Sequence, residues 1–295
     1  MKQAPGPGPW GLTTVSIAAD ITHLFEQGDA APKDAARAAF LALRSELAAG
    51  RVRAAEPDAS SSTGWRVNIW VKQGILLGFR FGEIVDMGIG RGRWQFFDLD
   101  TMPLKPIDPA SGVRLVPGAS FVRDGAFVGA GVICMPPMYI NVGAYVDEDT
   151  LVDSHALVGS CAQIGRRVHL SAAAQIGGVI EPVGAMPVII EDDVLVGGNC
   201  GVYEGAIVKR RAVLAAGTII TASTPLYDLP NERIITPKPG EPLVVPEGAV
   251  VVPGARQMAQ GAGRQWGLSL ATPVIVKYRD ENTDARTELE RWIRG

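Results

Sequence analysis

Asp153 follows an aliphatic residue, Val152, so its carboxylate, a group able to take or give a proton, should point outward from a turn. The stretch from 139 to 155 is acidic, and Asp147, Glu148 and Asp149 suit plain turn residues; by composition alone Asp153 reads the same way. His155 and His169 could each take a proton, or be solvated surface groups with no role. A zinc site needs three or more nitrogen, sulfur or oxygen ligands, and the third histidine, His23, lies far upstream, so no metal is expected. Cations cluster as Arg166 with Arg167 and as Lys209 with Arg210 and Arg211. Such rows at successive turns suit the phosphates of a nucleotide-bearing carrier such as coenzyme A, and suit ordinary solvated turns equally well.

The elements that must position these groups announce themselves by period. From Val116 an aliphatic residue recurs at every sixth position: Val122, Val128, Cys134, Ile140, Val146, Val152, Val158, Ile164, Leu170 and Ile176. Four residues after most of these the side chain is small or β-branched, with Met138 and Ile180 larger. After an insertion near 178–189, Ile190, Val196, Val202, Val208, Leu214 and Ile220 resume the spacing in a new phase. A second break near 227–243 precedes two last units from Val245 and Val251. Period six fits neither a helix nor one amphipathic strand, but it fits short strands joined by tight turns, three to a coil. Stacked coils bury an aliphatic column and bond from coil to coil, which makes a parallel β-solenoid. Gly118, Asp124, Gly129, Gly143 and Gly165 are expected at its turns.

Residues 14–27 and 32–49 read as amphipathic helices, the second ending at Gly50. Residues 65–81 are a mixed apolar and basic segment able to pack those helices onto the solenoid. Residues 273–278 read as a strand and 285–294 as a short helix, together a cap for the solenoid end. The expected division is a helical or mixed N-terminal domain over 1–112, the solenoid over 113–255 and the cap over 256–295.

The 295 residues are 47% hydrophobic and 20% charged, which excludes disorder and supports a sizeable core. A formal charge of −3 gives no global attraction to nucleic acid or to an anionic membrane. No apolar run reaches the roughly 18 residues of a membrane span, and residues 1–10 are unlike a signal peptide, so a cytoplasmic protein is expected. Cys134, Cys161 and Cys200 form no CxxC and are expected as small buried side chains.

The repeat resembles the hexapeptide-repeat transferases, which implies a left-handed parallel β-helix. More specific are MPPMYINVGAYVDE (135–148), TLVDS (150–154), VGSCAQIG (158–165), VHLS (168–171) and QIGGVIEP (175–182). Outside the repeat stand WVKQGILLGFR (70–80), FDLDTMPLK (97–105), RLVP (114–117) and PVIVK (273–277). Together they resemble the 2,3,4,5-tetrahydropyridine-2,6-dicarboxylate N-succinyltransferases. The resemblance implies a homotrimer that transfers succinyl from succinyl-CoA, as co-substrate, to the amino group of open-chain tetrahydrodipicolinate, in lysine and diaminopimelate biosynthesis. No permanently bound cofactor is expected.

By the same resemblance Asp153 matches an acceptor-site aspartate and Arg114 a substrate-binding arginine. Arg166 is added on charge alone. Gly178, where the repeat breaks, is the candidate backbone donor for a tetrahedral oxyanion, with Ser171, Lys209 and Arg210 as candidates for binding the acyl-CoA. The family pattern has a second acidic residue where NCGVYEG (199–205) places Gly201; Glu204 is the nearest replacement. Transfer of acetyl to the same acceptor, a non-catalytic binding solenoid and, least supported, a zinc hydratase are the alternatives.

Overall fold

The computed structural model describes residues 14–90, 94–238 and 240–280. Two-residue strands, too short to persist alone, recur at each aliphatic anchor and pair in parallel with the strand one coil away. They form three faces. The first runs from Phe127–Val128 through Tyr145–Val146, Gln163–Ile164, Ile189–Ile190 and Ile207–Val208 to Val244–Val245. The second runs from Arg114–Leu115 through Leu151–Val152, His169–Leu170 and Val213–Leu214 to Ala249–Gln257. The third runs from Phe121–Val122 through Leu157–Val158, Gln175–Ile176 and Gly201–Val202 to Ile219–Ile220. In every two-residue strand after Arg114–Leu115 the second residue is buried, and Ile140, Val158, Ile164, Leu170, Ile176 and Val202 are fully buried in one continuous column. Each such side chain contributes about 1.5–3 kcal/mol by leaving water. The chain is thus a left-handed parallel β-helix between an N-terminal helical domain and a small C-terminal cap.

Within that column Ile164 pairs with Val146 on one side and, across the insertion, with Ile190 on the other, so the coils stay in register where the sequence changes phase. The column departs from the sequence reading at its ends. Val116 is not an anchor: Leu115 pairs with Cys134, and Val116 lies half-buried beyond the strand. The chain there carries one residue more than a regular coil and bends at Gly118 (φ 142°) over Pro136. Ile180 leaves the column for the N-terminal core, because the insertion has already broken the coil. Gly165 is needed for space rather than for a left-handed backbone, since a Cβ there would lie 2.6 Å from the Asp192 nitrogen. The left-handed turn positions are held by residues such as His155, Arg167, Asn199 and Glu204.

Helices α1 (Thr14–Glu26), α2 (Lys33–Ala48) and α3 (Ile69–Phe81) enclose Ile21, Phe40, Leu43, Ile75 and Leu77. Gly74 and Gly78 let α3 approach the others, for added Cβ atoms would strike Leu43 and the Phe40 ring at 2.4 and 2.7 Å. The hairpin of Ala55–Pro57 and Trp65–Val67 lays Trp65 on the first face, where its ring nitrogen donates to Glu191 at 2.9 Å. At the far end Ala249–Gln257 pairs antiparallel with Ser269–Tyr278, which also pairs with Leu226–Asp228. This last strand is longer than the expected 273–278. The helix expected over 285–294 lies outside the described residues. No helix among the described residues is long and apolar enough to cross a membrane.

Candidate active site

The interior of the coil is filled, so chemistry belongs to its corners and outer faces. The corner between the second and third faces carries Asp153. Its backbone nitrogen donates to Leu170 O at 2.9 Å, and its Oδ1 accepts from Ser154 N at 2.7 Å. Its Oδ2 has no partner among the described residues, and the side chain is half-buried. Ser171 stands one coil further on, its hydroxyl 3.2 Å from His169 Nε2. His155, on the same corner, is exposed at a positive φ. Arg114 lies on the second face two strands before Leu151, exposed, with a guanidinium that has no partner among the described residues.

The corner between the third and first faces carries Gly178 and Glu204. Gly178 is packed so closely on the preceding coil that a Cβ would lie 2.7 Å from Ser160 N. Its own N–H has no hydrogen-bond partner among the described residues, while the flanking nitrogens of Gly177 and Val179 donate to Val202 O and Ser160 O. Glu204 is exposed and accepts from Ala222 N through Oε2 at 3.0 Å.

The remaining corner holds the cations, and they are engaged. Arg166 faces Asp147 at 3.4 Å and Glu148 at 3.7 Å. Lys209 donates to Glu191 at 2.8 Å and to Thr63 O at 2.7 Å, tying the N-terminal hairpin to the solenoid. Arg210 pairs with Glu247 at 2.7 Å. A side of the triangle is roughly 15–20 Å long, six residues at about 3.3 Å each with the corner included. One chain therefore gathers Asp153, Ser171 and Arg114 on one side and holds Gly178 with Glu204, and Arg166 with Lys209 and Arg210, on two others.

Two features escaped the sequence reading. Lys72 on α3 is fully buried and its ammonium donates to Ala185 O, pinning the insertion; burial pushes its pKa down. Tyr203 lies across the outer side of the third face. A Cβ on Gly201 would be 2.3 Å from Tyr203 Cε2 and 2.8 Å from its hydroxyl oxygen, and one on Gly177 would be 2.8 Å from Cδ1. The only signal for it was a bulky aromatic two positions from a glycine that interrupts the family's acidic pattern. A cavity of about 600 Å³ lies elsewhere, between the hairpin of Ile84–Asp86 with Phe97–Leu99 and the start of the third face. It contains none of the expected residues; its lining joins apolar side chains such as Met87, Phe96 and Leu104 to Arg123, which donates to Asp98 at 2.6 Å and to the Tyr139 hydroxyl at 2.8 Å.

Residues 16–81 match a family model described as tetrahydrodipicolinate N-succinyltransferase N-terminal, and residues 187–222 one described as the hexapeptide repeat of succinyl-transferase. The 2,3,4,5-tetrahydropyridine-2,6-dicarboxylate N-succinyltransferase of Rhodopseudomonas palustris is 43% identical over 251 residues, covering 83% of this chain and 85% of that one. The enzyme of that name from Aromatoleum aromaticum is 44% identical over 88% of this chain and 90% of its own. That from Idiomarina loihiensis is 39% identical over 93% and 97%.

Proposed function

This chain belongs to the tetrahydrodipicolinate N-succinyltransferase family, and from that premise we propose that it moves succinyl from succinyl-CoA to the amino group of open-chain tetrahydrodipicolinate. The product is N-succinyl-2-amino-6-oxopimelate, formed with release of CoA, in lysine and diaminopimelate biosynthesis. The observation that carries the residue assignment is a corner aspartate with one carboxylate oxygen committed to the turn and the other open.

An amine attacks a thioester only when neutral, so a group that takes its proton as the C–N bond forms lowers the barrier. Asp153 is that general base, worth about 10²–10⁴-fold in rate. Arg114, free on the same side, pairs with a substrate carboxylate in two parallel hydrogen bonds and so fixes direction as well as charge. The carbonyl oxygen gains negative charge in the tetrahedral intermediate, and the open N–H of Gly178 is the donor for it. Collapse of that intermediate breaks the C–S bond and releases the CoA thiolate, which takes a proton. Ser171, Lys209 and Arg210 line the path of the acyl-CoA; for the two cations this means loosening their present ion pairs. Glu204 stands as a second carboxylate beside Gly178, and Arg166 as a further carboxylate partner.

The groups lie on three corners of a triangular prism, so grooves between neighbouring copies are the natural sites. A homotrimer supplies three such grooves, and a cytoplasmic location suits the substrates. The test follows CoA release with a thiol reagent, using L-2-aminopimelate as acceptor and succinyl-CoA or acetyl-CoA as donor. Acceptor-dependent release with succinyl-CoA is expected; release with acetyl-CoA alone, or none, overturns the reading. Asp153→Asn keeps CoA affinity and assembly but loses most turnover, and wild-type turnover in that variant removes Asp153 from the mechanism.

A further inference from the structure

After each strand of the second face one residue turns the chain, and its N–H donates to the coil beyond: Met135 to Val152 O, Asp153 to Leu170 O, Ser171 to Val196 O, Gly197 to Leu214 O and Ala215 to Val251 O. Leu151 pairs with His169 and Val152 with Leu170, so Asp153 and Ser171, each next in the chain, stack at one corner of consecutive coils. Of these five corner residues only Asp153 and Ser171 carry an oxygen on the side chain. Their spacing is that of neighbouring strands, about 4.8 Å. Beside the corner, the outward row of the second face runs Ile133, Leu151, His169, Leu195 and Val213, aliphatic except for His169. That ring meets the corner, with Nε2 3.2 Å from the Ser171 hydroxyl.

We propose that Ser171 is a catalytic residue that, with Asp153, holds the two N–H bonds of the acceptor's amine, and that His169 is the positioning residue that makes the Ser171 oxygen an acceptor. The inference rests on the acyl-transfer reading above, with Asp153 as base. A neutral primary amine has two N–H donors and one lone pair, so holding both donors leaves the lone pair a single direction. Two hydrogen bonds of about 2.9 Å that open from a tetrahedral nitrogen end on acceptors about 4.7 Å apart, which is the separation of side chains on consecutive coils. Asp153 Oδ2, without a partner among the described residues, is one acceptor. A serine hydroxyl donates as well as accepts, and it would present its own hydrogen to the amine unless that hydrogen were committed elsewhere. His169 Nε2, with the ring proton on Nδ1, commits it. The lone pair then faces the thioester carbon. As the C–N bond forms, the proton facing Asp153 passes to Oδ2, the C–S electron pair leaves on the CoA thiolate, and the Ser171 hydrogen stays on its oxygen.

The test follows CoA release from succinyl-CoA with L-2-aminopimelate for the wild type, Ser171→Ala, His169→Phe, His169→Gln and the Ser171→Ala, His169→Phe double variant. Ser171→Ala should lower kcat about tenfold or more, because a misdirected lone pair slows attack, with the KM for succinyl-CoA unchanged. His169→Phe keeps a ring without the acceptor and should lower kcat by a similar factor. His169→Gln, whose carboxamide oxygen reaches the place of Nε2, should recover most of that loss, and the double variant should be no slower than Ser171→Ala alone. Both side chains are half-buried on the outer surface, so every variant should melt as the wild type does. Ser171→Ala with wild-type kcat, or with a change confined to the KM for succinyl-CoA, overturns the inference. A His169→Phe loss that persists in full on top of Ser171→Ala, or a His169→Gln variant no better than His169→Phe, overturns the part given to His169. A wild type that releases no CoA from succinyl-CoA overturns the function reading and this inference with it; an active wild type with an unaffected Ser171→Ala overturns this inference alone.

Discussion

Cys134 and Cys161 are buried in the molecule, and burial pushes both thiols up to about 12, because a thiolate there would lose its hydration. Cys200 is moved in the same direction for the same reason. The native protein should therefore give almost no reaction with a thiol reagent at pH 8, and three thiols after denaturation; fast labelling of the native form would contradict this burial. Asp100 behaves oppositely. Its hydrogen bonds from Arg37, then from the Glu83 nitrogen, hold its carboxyl down to about 2. A carboxyl depressed on folding adds stability above its unfolded value near 3.8 and loses it as pH falls toward 2. Denaturant titrations should show stability falling between about pH 4 and pH 2, and Asp100→Asn should remove about 1 kcal/mol at pH 7 and flatten that fall. The burial of Cys134 and Cys200 was legible from the repeat phase, since one sits at an anchor and the other at the small slot four residues after Val196; Cys161 stands at a turn with positive φ and is buried only because the N-terminal helices pack over it. Asp100's clamp was not, because Arg37 is 63 residues away in sequence.

Among the elements, the coil is the unit of stability and each anchor is a plug in a dry column. Ile164→Ala should cost about 2–5 kcal/mol, read by chemical denaturation, because the stacked neighbours cannot collapse to refill the space. The insertion depends on one distant contact. Lys72→Met removes the donor to Ala185 O, so amide exchange across residues 178–187 should quicken while the coils on either side keep their protection. Unchanged exchange there would mean that the insertion holds its own shape. The helices α1 and α2 and the coil spacing were readable because a periodic apolar pattern has one geometric solution. Val116 and Ile180 were misplaced because the period persists in the letters for a unit beyond the point where an extra residue or an insertion ends it in space.

For the whole molecule, the triangular section places the proposed site groups on different corners of one chain, and the proposed homotrimer would bring corners of different copies together. Light scattering should give the mass of three 31.2 kDa chains, and Asp153→Asn should leave that mass unaltered. A monodisperse monomer with full activity would place the whole site within one chain. The order of residues was enough to establish the solenoid, its coil length and the family, because every sixth side chain must be buried and because the motifs between anchors are specific. It was also enough to single out Asp153 and Arg114 as the groups to test. Which charged groups are open emerged only on folding. Lys209 is tied to Thr63 O, 146 residues away, and Arg166 to two acids on the preceding coil, while Asp153 Oδ2, the Gly178 N–H and the Tyr203 hydroxyl remain without partners among the described residues. The physical reason is that local spacing sets which side chains point outward, whereas what each outward group meets depends on strands and loops brought beside it from elsewhere in the chain.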